Sequence, residues 1–371
     1  MVDVLTVDAP MDDVLIIGGG IVGSLSALEL ADRGRRVTLL DVPRRHPPAS
    51  WAGGGILSPL YHWRYPEPMN RLTLDGPRRY RKLVRRLAGN GLDPSDLCES
   101  GLWVEADGAE AERGLAWARA HDQRCLAAPL SAHLPDGRAG QGLWFPEIGN
   151  IRNPRMLKAL HAGLRERGVT RIEARATAVW PGERGGEVRL DNGERRRAST
   201  LLISAGAWSP DLLDALGVTV PLFPAKGEML LYRLAPGQVP STILTEQGYL
   251  IPRADGAVLA GSTLRKDDAS TSPTAEGRRT LETMAAGILP MLAARRPDHH
   301  WAGVRPGSAR DWPWLGEVPG TRGVFAAVGH HRNGLVSAPA SAELLAQLMC
   351  GESPLLDPAD YAFEPSSASS S

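Results

Sequence analysis

The sequence predicts an α/β protein in which a Rossmann-like domain is joined to a second, smaller and mostly antiparallel β-sheet domain. Residues 14–41, VLIIGGGIVGSLSALELADRGRRVTLLD, have the pattern of a buried strand, a glycine-rich turn, a helix and a second strand. Between 221 and 266 the pattern is that of successive alternating strands, as in an antiparallel sheet. The length of 371 residues exceeds that of one simple core and favours about two domains.

The glycines of the first turn predict a dinucleotide site. Gly18, Gly20 and Gly23 fit the spacing G-x-G-x-x-G. The first permits a tight turn, the second lets the backbone approach a pyrophosphate, and the third lets the helix pack closely on the strand. We expect the helix to end at Gly34. Asp41, which ends the second strand, lies near the distance expected of a carboxylate that binds the adenosine ribose. An α/β crossover with incidental glycines is the alternative.

Small-residue segments elsewhere favour an elongated cofactor such as FAD over NAD. After the second strand the chain reads PRRHPPASWAGGGILSP, in which Ala49, Ser50 and residues 53–55 could bring backbone amides close to a phosphate and a flavin. A flexible surface loop is the alternative for this stretch. TLLISAGAWSP at 200–210 and GVFAAVGHHRNG at 323–334 are each a buried strand ending in small residues. A second cofactor-binding segment near the end of the chain suits an elongated cofactor, whose two ends need separate binding sites.

An ordered set of motifs resembles the FAD-dependent D-amino-acid oxidase superfamily, and within it most closely the glycine oxidases of thiamine biosynthesis. The resemblance runs from about residue 12 to about 350 and is carried by IIGGGIVGS, AGGGIL, SAGAWS, PAKGEML, GYLIPR, WAGVRPGS and GHHRNGLVSAPA. It implies a glutathione-reductase-type domain that binds FAD non-covalently, with a smaller antiparallel sheet over the substrate face of the flavin. The positions expected at FAD are Gly18, Gly20, Ile21, Val22, Gly23, Asp41, Val42, Ala49, Ser50, Gly54, Gly55, Ile56, Val179, Ala205, Gly206, Trp208, His330, His331, Arg332, Asn333, Gly334, Leu335 and Val336.

The domains are expected to be interleaved along the chain. Residues 11–85, 150–220 and 300–363 are assigned to the FAD-binding domain, and residues 86–149 and 221–299 to the substrate domain. The low-complexity tail at 364–371 is expected to be disordered.

The resemblance also implies a carboxylate clamp above the flavin. Arg305 and Tyr249 match substrate-binding positions: a guanidinium holds a carboxylate through two parallel hydrogen bonds, and a tyrosine hydroxyl can add a third. A surface salt bridge for Arg305 and core packing for Tyr249 are the alternatives. Arg332 matches a further substrate-binding position. His330 and His331, beside it, could act as acid or base but need not do so.

The implied reaction needs no catalytic base. The α-hydrogen of a neutral amino acid passes to flavin N5 as a hydride, and the resulting imino acid hydrolyses. The reduced cofactor then reacts with oxygen, giving hydrogen peroxide, or with another acceptor. A D-amino-acid or secondary-amine dehydrogenase is therefore an open alternative, as is an FAD-binding module with a degenerate amine pocket. The aromatic residues Tyr61, His62, Trp63 and Trp312 could narrow the pocket, form an interface between protomers, or simply pack.

Composition argues against several classes of partner. Lys plus Arg and Asp plus Glu each number 42, so no net field favours nucleic acid or an anionic membrane. Cys98, Cys125 and Cys350 form no CxxC pair, which is a reduced, intracellular pattern without a metal site. The acidic start, MVDVLTVDAPMDD, is unlike a signal peptide, and no stretch approaches the roughly 18 apolar residues of a membrane span. We therefore expect a soluble, cytoplasmic protein that forms homo-oligomers and acts on a small amino acid or amine.

Overall fold

Two large β-sheets organise the chain, which this computed structural model describes over residues 11–42, 48–93 and 96–364. The strands are β1 (Met11–Ile17), β2 (Val37–Asp41), β3 (Leu97–Cys98), β4 (Leu102–Glu105), β5 (Leu126–Pro129), β6 (Gln141–Phe145), β7 (Asn150–Ile151), β8 (Thr170–Glu173), β9 (Ala176–Pro181), β10 (Gly186–Leu190), β11 (Arg195–Ile203), β12 (Leu222–Arg233), β13 (Thr242–Leu244), β14 (Tyr249–Pro252), β15 (Ala257–Gly261), β16 (Arg265–Lys266), β17 (His299–Ser308), β18 (Trp314–Glu317) and β19 (Val324–Val328). The helices are α1 (Ile21–Asp32), α2 (Ala49–Ala52), α3 (Glu67–Thr73), α4 (Gly76–Arg86), α5 (Gly108–Ala120), α6 (Asn153–Glu166), α7 (Pro210–Asp214), α8 (Ala275–Ile288) and α9 (Gly334–Cys350).

The first sheet has the order β18-β19-β11-β1-β2-β8 and is parallel from β19 to β8. Its central strands are continuous apolar runs because both faces are covered. Val14, Ile16 and Leu39 pack under α1, α6 and α9, whereas Leu15 and Leu201 pack on the other face, where β9 and β10 form an antiparallel extension. This is the predicted α/β, Rossmann-like arrangement.

The second sheet has the order β16-β12-β15-β14-β13-β4-β6-β5, with β17 paired to β12, and only the β13–β4 pair is parallel. Helix α8 covers one face, where Leu281 and Ile288 pack against Leu230 and Tyr232. The opposite face carries Tyr249 and the neighbouring apolar residues of β12, β14 and β15. The predicted second, mostly antiparallel sheet is confirmed.

Strand β12 also carries buried charges on the face covered by α8. The Lys226 ammonium lies 2.9 Å from the Ser270 hydroxyl, and the Glu228 carboxylate accepts hydrogen bonds from the Thr274 amide at 2.9 Å and the His300 ring at 2.8 Å. Glu228 thereby satisfies an amide at the start of α8 and anchors that helix to the sheet.

The interleaved domain limits remain a prediction. Strand β17, which the limit at 300 assigns to the FAD-binding part, pairs along its whole length with β12 of the second sheet. Apart from Glu364, the tail at 364–371 lies outside the described residues. Among the helices that the structure describes, none is long and apolar enough to cross a bilayer.

Candidate active site

A continuous cleft runs from the start of α1, past the carboxyl ends of β1, β11 and β19, to the inner face of the second sheet. The edge where parallel strands end is the usual ligand position in open α/β sheets. The sequence-predicted residues that line it are Gly18, Gly20, Ile21, Val22, Asp41, Val42, Ala49, Ser50, Gly54, Gly55, Ile56, Ala205, Gly206, Trp208, Tyr249, Arg305, His330, His331, Arg332, Gly334 and Leu335.

Four predicted contact residues lie outside this lining. Val179 is a buried residue of β9 in the core beneath the sheet, and Ala174–Ala176 reach the cleft in its place. Val336 packs its side chain toward Gly76 of α4, and Asn333 is buried at the start of α9. Gly23 lies inside α1, where it allows the close helix packing expected of the third glycine. For all four residues, contact with FAD stays a prediction.

The first turn has the shape that a pyrophosphate requires. Gly18 has φ +112°, and a Cβ there would lie 2.4 Å from the Ser204 carbonyl oxygen. A Cβ on Gly23 would lie 2.0 Å from the Gly18 carbonyl oxygen, so α1 packs directly on the turn. A Cβ on Gly20 would meet only the Ser50 hydroxyl, at 3.3 Å, because that side of the turn faces the cleft. The open side lies at the positive end of the α1 dipole, where an anion is favoured.

Asp41 lies at the end of β2 and lines the cleft, as expected of a ribose-binding carboxylate. It accepts a hydrogen bond from the Gly19 amide at 3.3 Å and forms an ion pair with Arg171 at 3.0 Å. Arg171 was not predicted from the sequence, and the pairing of β8 with β2 brings it to Asp41. The arginine and the amide fix the carboxylate at the rim of the cleft.

The turn that leads into α9 places its two histidines differently. His330 is buried, its Nε2 lies 3.2 Å from the Ser341 hydroxyl, and burial lowers its pKa to about 4. His331 has φ +44°, and its buried Nε2 has no hydrogen-bond partner in the described part of the chain. Burial, with the positive charges of Arg332, Arg305 and Lys266, lowers the pKa of His331 to about 4. Both rings are therefore neutral at pH 7.

The two predicted clamp residues face the cleft together. Arg305 donates to the Ser262 hydroxyl at 2.9 Å and to the Thr263 carbonyl at 3.4 Å. Burial lowers its pKa, yet a guanidinium remains charged at neutral pH. Tyr249 is buried, and its hydroxyl lies 3.5 Å from the Met229 sulfur, a weak partner that leaves the hydroxyl able to donate elsewhere.

Gly227, which was not predicted from the sequence as a site residue, makes room for the clamp. Gly227 of β12 lies beneath the Arg305 side chain, and a Cβ there would come within 2.0 Å of Arg305 Nη1. The guanidinium therefore rests on bare backbone.

Of the four aromatic residues whose role the sequence analysis left undecided, three pack against or hydrogen-bond to other protein residues. His62 is buried, stacks on Phe145 with ring centres 4.8 Å apart, and has its pKa lowered by burial to about 3. The Trp63 indole donates to Glu110 at 2.6 Å, and the Trp312 indole donates to the Asp360 carbonyl at 2.8 Å.

Tyr61 differs from these three. It lines a cavity of about 360 Å³ that adjoins the cleft at Tyr249 and Arg332. Its buried hydroxyl has no partner among the described residues. The Arg64 guanidinium lies over its ring, 3.8 Å from the centre, and pairs at 2.5 Å with Glu246, which also lines the cavity.

These features fit FAD. The open turn at Gly20 would hold the pyrophosphate, Asp41 the ribose, and the start of α9 an electron-rich edge of the flavin. Glycines 53–55 line the cleft with bare backbone. The clamp lies at the end of the cleft that the isoalloxazine would occupy.

Comparisons with known proteins identify the family of the chain. The model of the family "FAD dependent oxidoreductase" matches residues 13–348. The chain is 40% identical to a glycine oxidase of Pseudomonas aeruginosa over 94% of this chain and 98% of that protein, and 38% identical to a glycine oxidase of Pseudomonas putida over 95% and 98%. The crystal structure of glycine oxidase from Geobacillus kaustophilus superposes with a TM-score of 0.90 at 24% identity, covering 95% of this chain and 98% of that one. The chain belongs to the FAD dependent oxidoreductase family.

Proposed function

We propose that the protein catalyses the FAD-dependent oxidative deamination of a small amino acid or amine, with glycine as the first candidate. The observation that supports this proposal is that Arg305 and Tyr249 line the same cleft as the glycine turn. The names of the Pseudomonas relatives, which align over almost the whole chain, support the choice of glycine.

Arg305 and Tyr249 would bind the substrate carboxylate and fix its orientation. The guanidinium is held by Ser262 and Thr263, so it is ordered before a ligand arrives. Two charge-assisted bonds from Arg305, with one from the Tyr249 hydroxyl, leave the α-carbon little freedom to rotate. When bound, FAD supplies the acceptor for the hydride that leaves the α-carbon.

The cations around the site favour the reactive form of the substrate amine. Arg305 and Arg332 both line the cleft, and Arg332 has no ion-pair partner in the described part of the chain. Positive charges nearby disfavour an ammonium group and so lower the pKa of a bound amine. The amine lone pair then forms the C=N bond as the C–H bond breaks, and water releases the oxo acid and ammonia. His331 is neutral but, with a pKa of about 4, is a weak base, so the scheme assigns it no proton transfer.

Four finer features belong to the same proposal. We take oxygen as the electron acceptor, with hydrogen peroxide as the product, and the FAD as non-covalently bound. We also keep the expectations of a homo-oligomer and of a cytoplasmic location. A dehydrogenase that passes electrons to another acceptor differs only in the second half-reaction, which stopped-flow mixing of the reduced protein with oxygen would reveal.

Replacing Arg305 by alanine tests the proposal. Loss of one partner of a buried charged hydrogen bond costs about 2 to 5 kcal/mol, or about thirtyfold and more in an equilibrium. We expect Arg305→Ala to weaken the binding of glycine, glycolate and acetate by at least that factor while FAD stays bound. Arg305→Lys should recover little, because an ammonium cannot form the two parallel bonds.

Arg265→Ala provides the matched control, because it removes an arginine of β16 whose partner is the exposed Glu276. The measurement is anaerobic flavin reduction in single turnovers, followed by absorbance. If glycine reduced the flavin of Arg305→Ala with wild-type affinity, the carboxylate would be bound elsewhere and the proposal would fail.

A secondary amine is the second candidate substrate. The cavity beside Tyr249 and Arg332, which the Tyr61 side chain also lines, offers space for a group on the amine nitrogen that glycine would leave unused. Comparison of kcat/KM for glycine and sarcosine decides between them: a clear preference for sarcosine would favour the secondary amine.

A further inference from the structure

In the glycine loop, residues 53–56, the protein holds three consecutive peptide units through their carbonyl groups only. The Gly53 carbonyl accepts a hydrogen bond from Asn153 Nδ2 at 2.9 Å, and the Gly54 carbonyl accepts one from Arg253 Nη2 at 2.8 Å. The Gly55 carbonyl accepts one from the Ile151 amide at 2.8 Å. All three carbonyls of the loop are therefore occupied by the protein.

The amides of the same three peptide units are not used by the protein. In the described part of the chain, the N–H groups of Gly54, Gly55 and Ile56 donate no hydrogen bond. In a trans peptide the N–H and the C=O point in opposite directions, so a side chain that holds the carbonyl also aims the amide away from itself. Residues 53–56 all line the cleft. Three free donors in a row form a cradle for an acceptor that the protein does not supply.

Arg253 is an unusual residue to hold a loop carbonyl. The residue is only 6% exposed, and its side-chain hydrogen bonds go to Gly54 O and to Asn150 Oδ1, neither of which is charged. Burial lowers its pKa to about 10, so it stays cationic at neutral pH. Burying a cation without a hydrogen-bonded carboxylate is costly.

The second guanidinium contact is itself anchored in the second sheet. Asn150 is fully buried and donates to the Ser100 hydroxyl at 3.2 Å and to the Thr242 hydroxyl at 3.3 Å. Arg253 follows β14 directly, and a Cβ on Gly54 would come within 2.5 Å of Ile251 Cδ1 of that strand. The guanidinium thus sets the position of the glycine loop relative to the strand that carries Tyr249.

We propose that Arg253, with Asn153, is a positioning residue for the cofactor: the two side chains hold the carbonyls of Gly54 and Gly53 so that the free amides of the loop face the isoalloxazine. The donors would bond to electron-rich atoms of the flavin and stabilise the charge it gains on reduction. Neither side chain needs to touch substrate. The proposal rests on the cleft being the FAD site and is independent of which amine is oxidised.

The test replaces Arg253 by methionine, which keeps an unbranched apolar chain but removes both donors. We expect Arg253→Met to bind FAD about tenfold or more weakly, because the released amides lose aligned hydrogen bonds to the cofactor, and to shift the visible flavin spectrum. Arg152→Met is the control, because it removes a neighbouring cation whose partners are Asp96 and Asp255 and which donates nothing to the loop. The readouts are FAD titration of the apoprotein and the absorbance spectrum of the bound flavin, neither of which needs turnover.

Asn153→Ala releases the Gly53 carbonyl and should act in the same direction. If Arg253→Met does not fold, Arg253→Lys serves in its place. It keeps the buried charge but reaches only one of the two acceptors, so we expect FAD binding to be weakened by at least about threefold, part of the tenfold loss above.

Wild-type affinity and spectrum in Arg253→Met, or in both Arg253→Lys and Asn153→Ala, would overturn the proposal. An equal loss in Arg152→Met would also overturn it, because the effect would then come from charge and not from the held peptide units.

Discussion

Gly227 allows the substrate clamp to be displaced without removing it. An alanine Cβ at Gly227 would lie 2.0 Å from Arg305 Nη1 and 2.3 Å from Nη2, whereas an ordinary contact begins at 3.4 Å. The guanidinium would have to recede by about 1.4 Å, the difference between these two distances. The strand itself should tolerate the change, because the clash is with the end of a flexible side chain and not with backbone.

A displacement of this size is large for catalysis. A misplacement of about 1 Å can cost about a hundredfold in rate, because the reacting carbon loses its alignment. We expect Gly227→Ala to retain FAD and its melting temperature, to lower kcat/KM for glycine by about a hundredfold, and to weaken acetate inhibition. Gly287→Ala, where a Cβ meets nothing within 4 Å, is the control. Unchanged acetate inhibition in Gly227→Ala would show that the position of Arg305 does not determine carboxylate binding.

Three further predictions concern the cofactor and stability. Gly20→Ala should fold but bind FAD weakly, whereas Gly23→Ala should also lose folded yield, because its Cβ would lie 2.0 Å from the Gly18 carbonyl oxygen; equal thermal stability and FAD content in the two variants would contradict this. Acid precipitation of the wild type should release all the yellow colour, and colour retained in the pellet would indicate a covalent flavin. Burial lowers the pKa values of His62 and His330 to about 3 and about 4. Below the ordinary histidine pKa of about 6.5, these two rings are therefore protonated in the unfolded chain but stay neutral in the folded protein. The free energy of unfolding should therefore fall from pH 6.5 toward 4, by up to about 1.4 kcal/mol per pH unit for each ring, and equal melting temperatures at pH 7 and pH 5 would refute that.

The parts of the site that the sequence predicted depend on short-range geometry or on recognisable motifs. The roles of Gly18 and Gly23 follow from a strand, a tight turn and a helix that are contiguous in the chain, and the structure has them in that arrangement. Arg305 and Tyr249 were identified by resemblance. The structure brings both to the cleft, although binding of a carboxylate there stays a prediction.

The parts that sequence reasoning missed depend on contacts between distant segments. Arg253 and the Gly54 carbonyl that it holds are 199 residues apart, and no local pattern connects them. Arg171 reaches Asp41 only because β8 pairs with β2. Val179 and Val336 were assigned to the cofactor, but whether such a residue faces a cleft or a core depends on strand register and helix rotation, which composition does not reveal.

The buried charges of β12 restrict how that strand can be aligned with its neighbours. Lys226 and Glu228 point to the α8 side, and Gly227 between them points to Arg305. A shift by one residue would exchange the two faces, turning an ammonium and a carboxylate toward the cleft and leaving the Ser270 and Thr274 partners unpaired. An apolar strand of the same length would penalise such a misalignment far less. Lys226 and Glu228 thus destabilise any shifted alignment of β12 with its neighbours. Replacing both by apolar residues should yield a protein that folds with several alignments of this strand, of which only one can position Arg305.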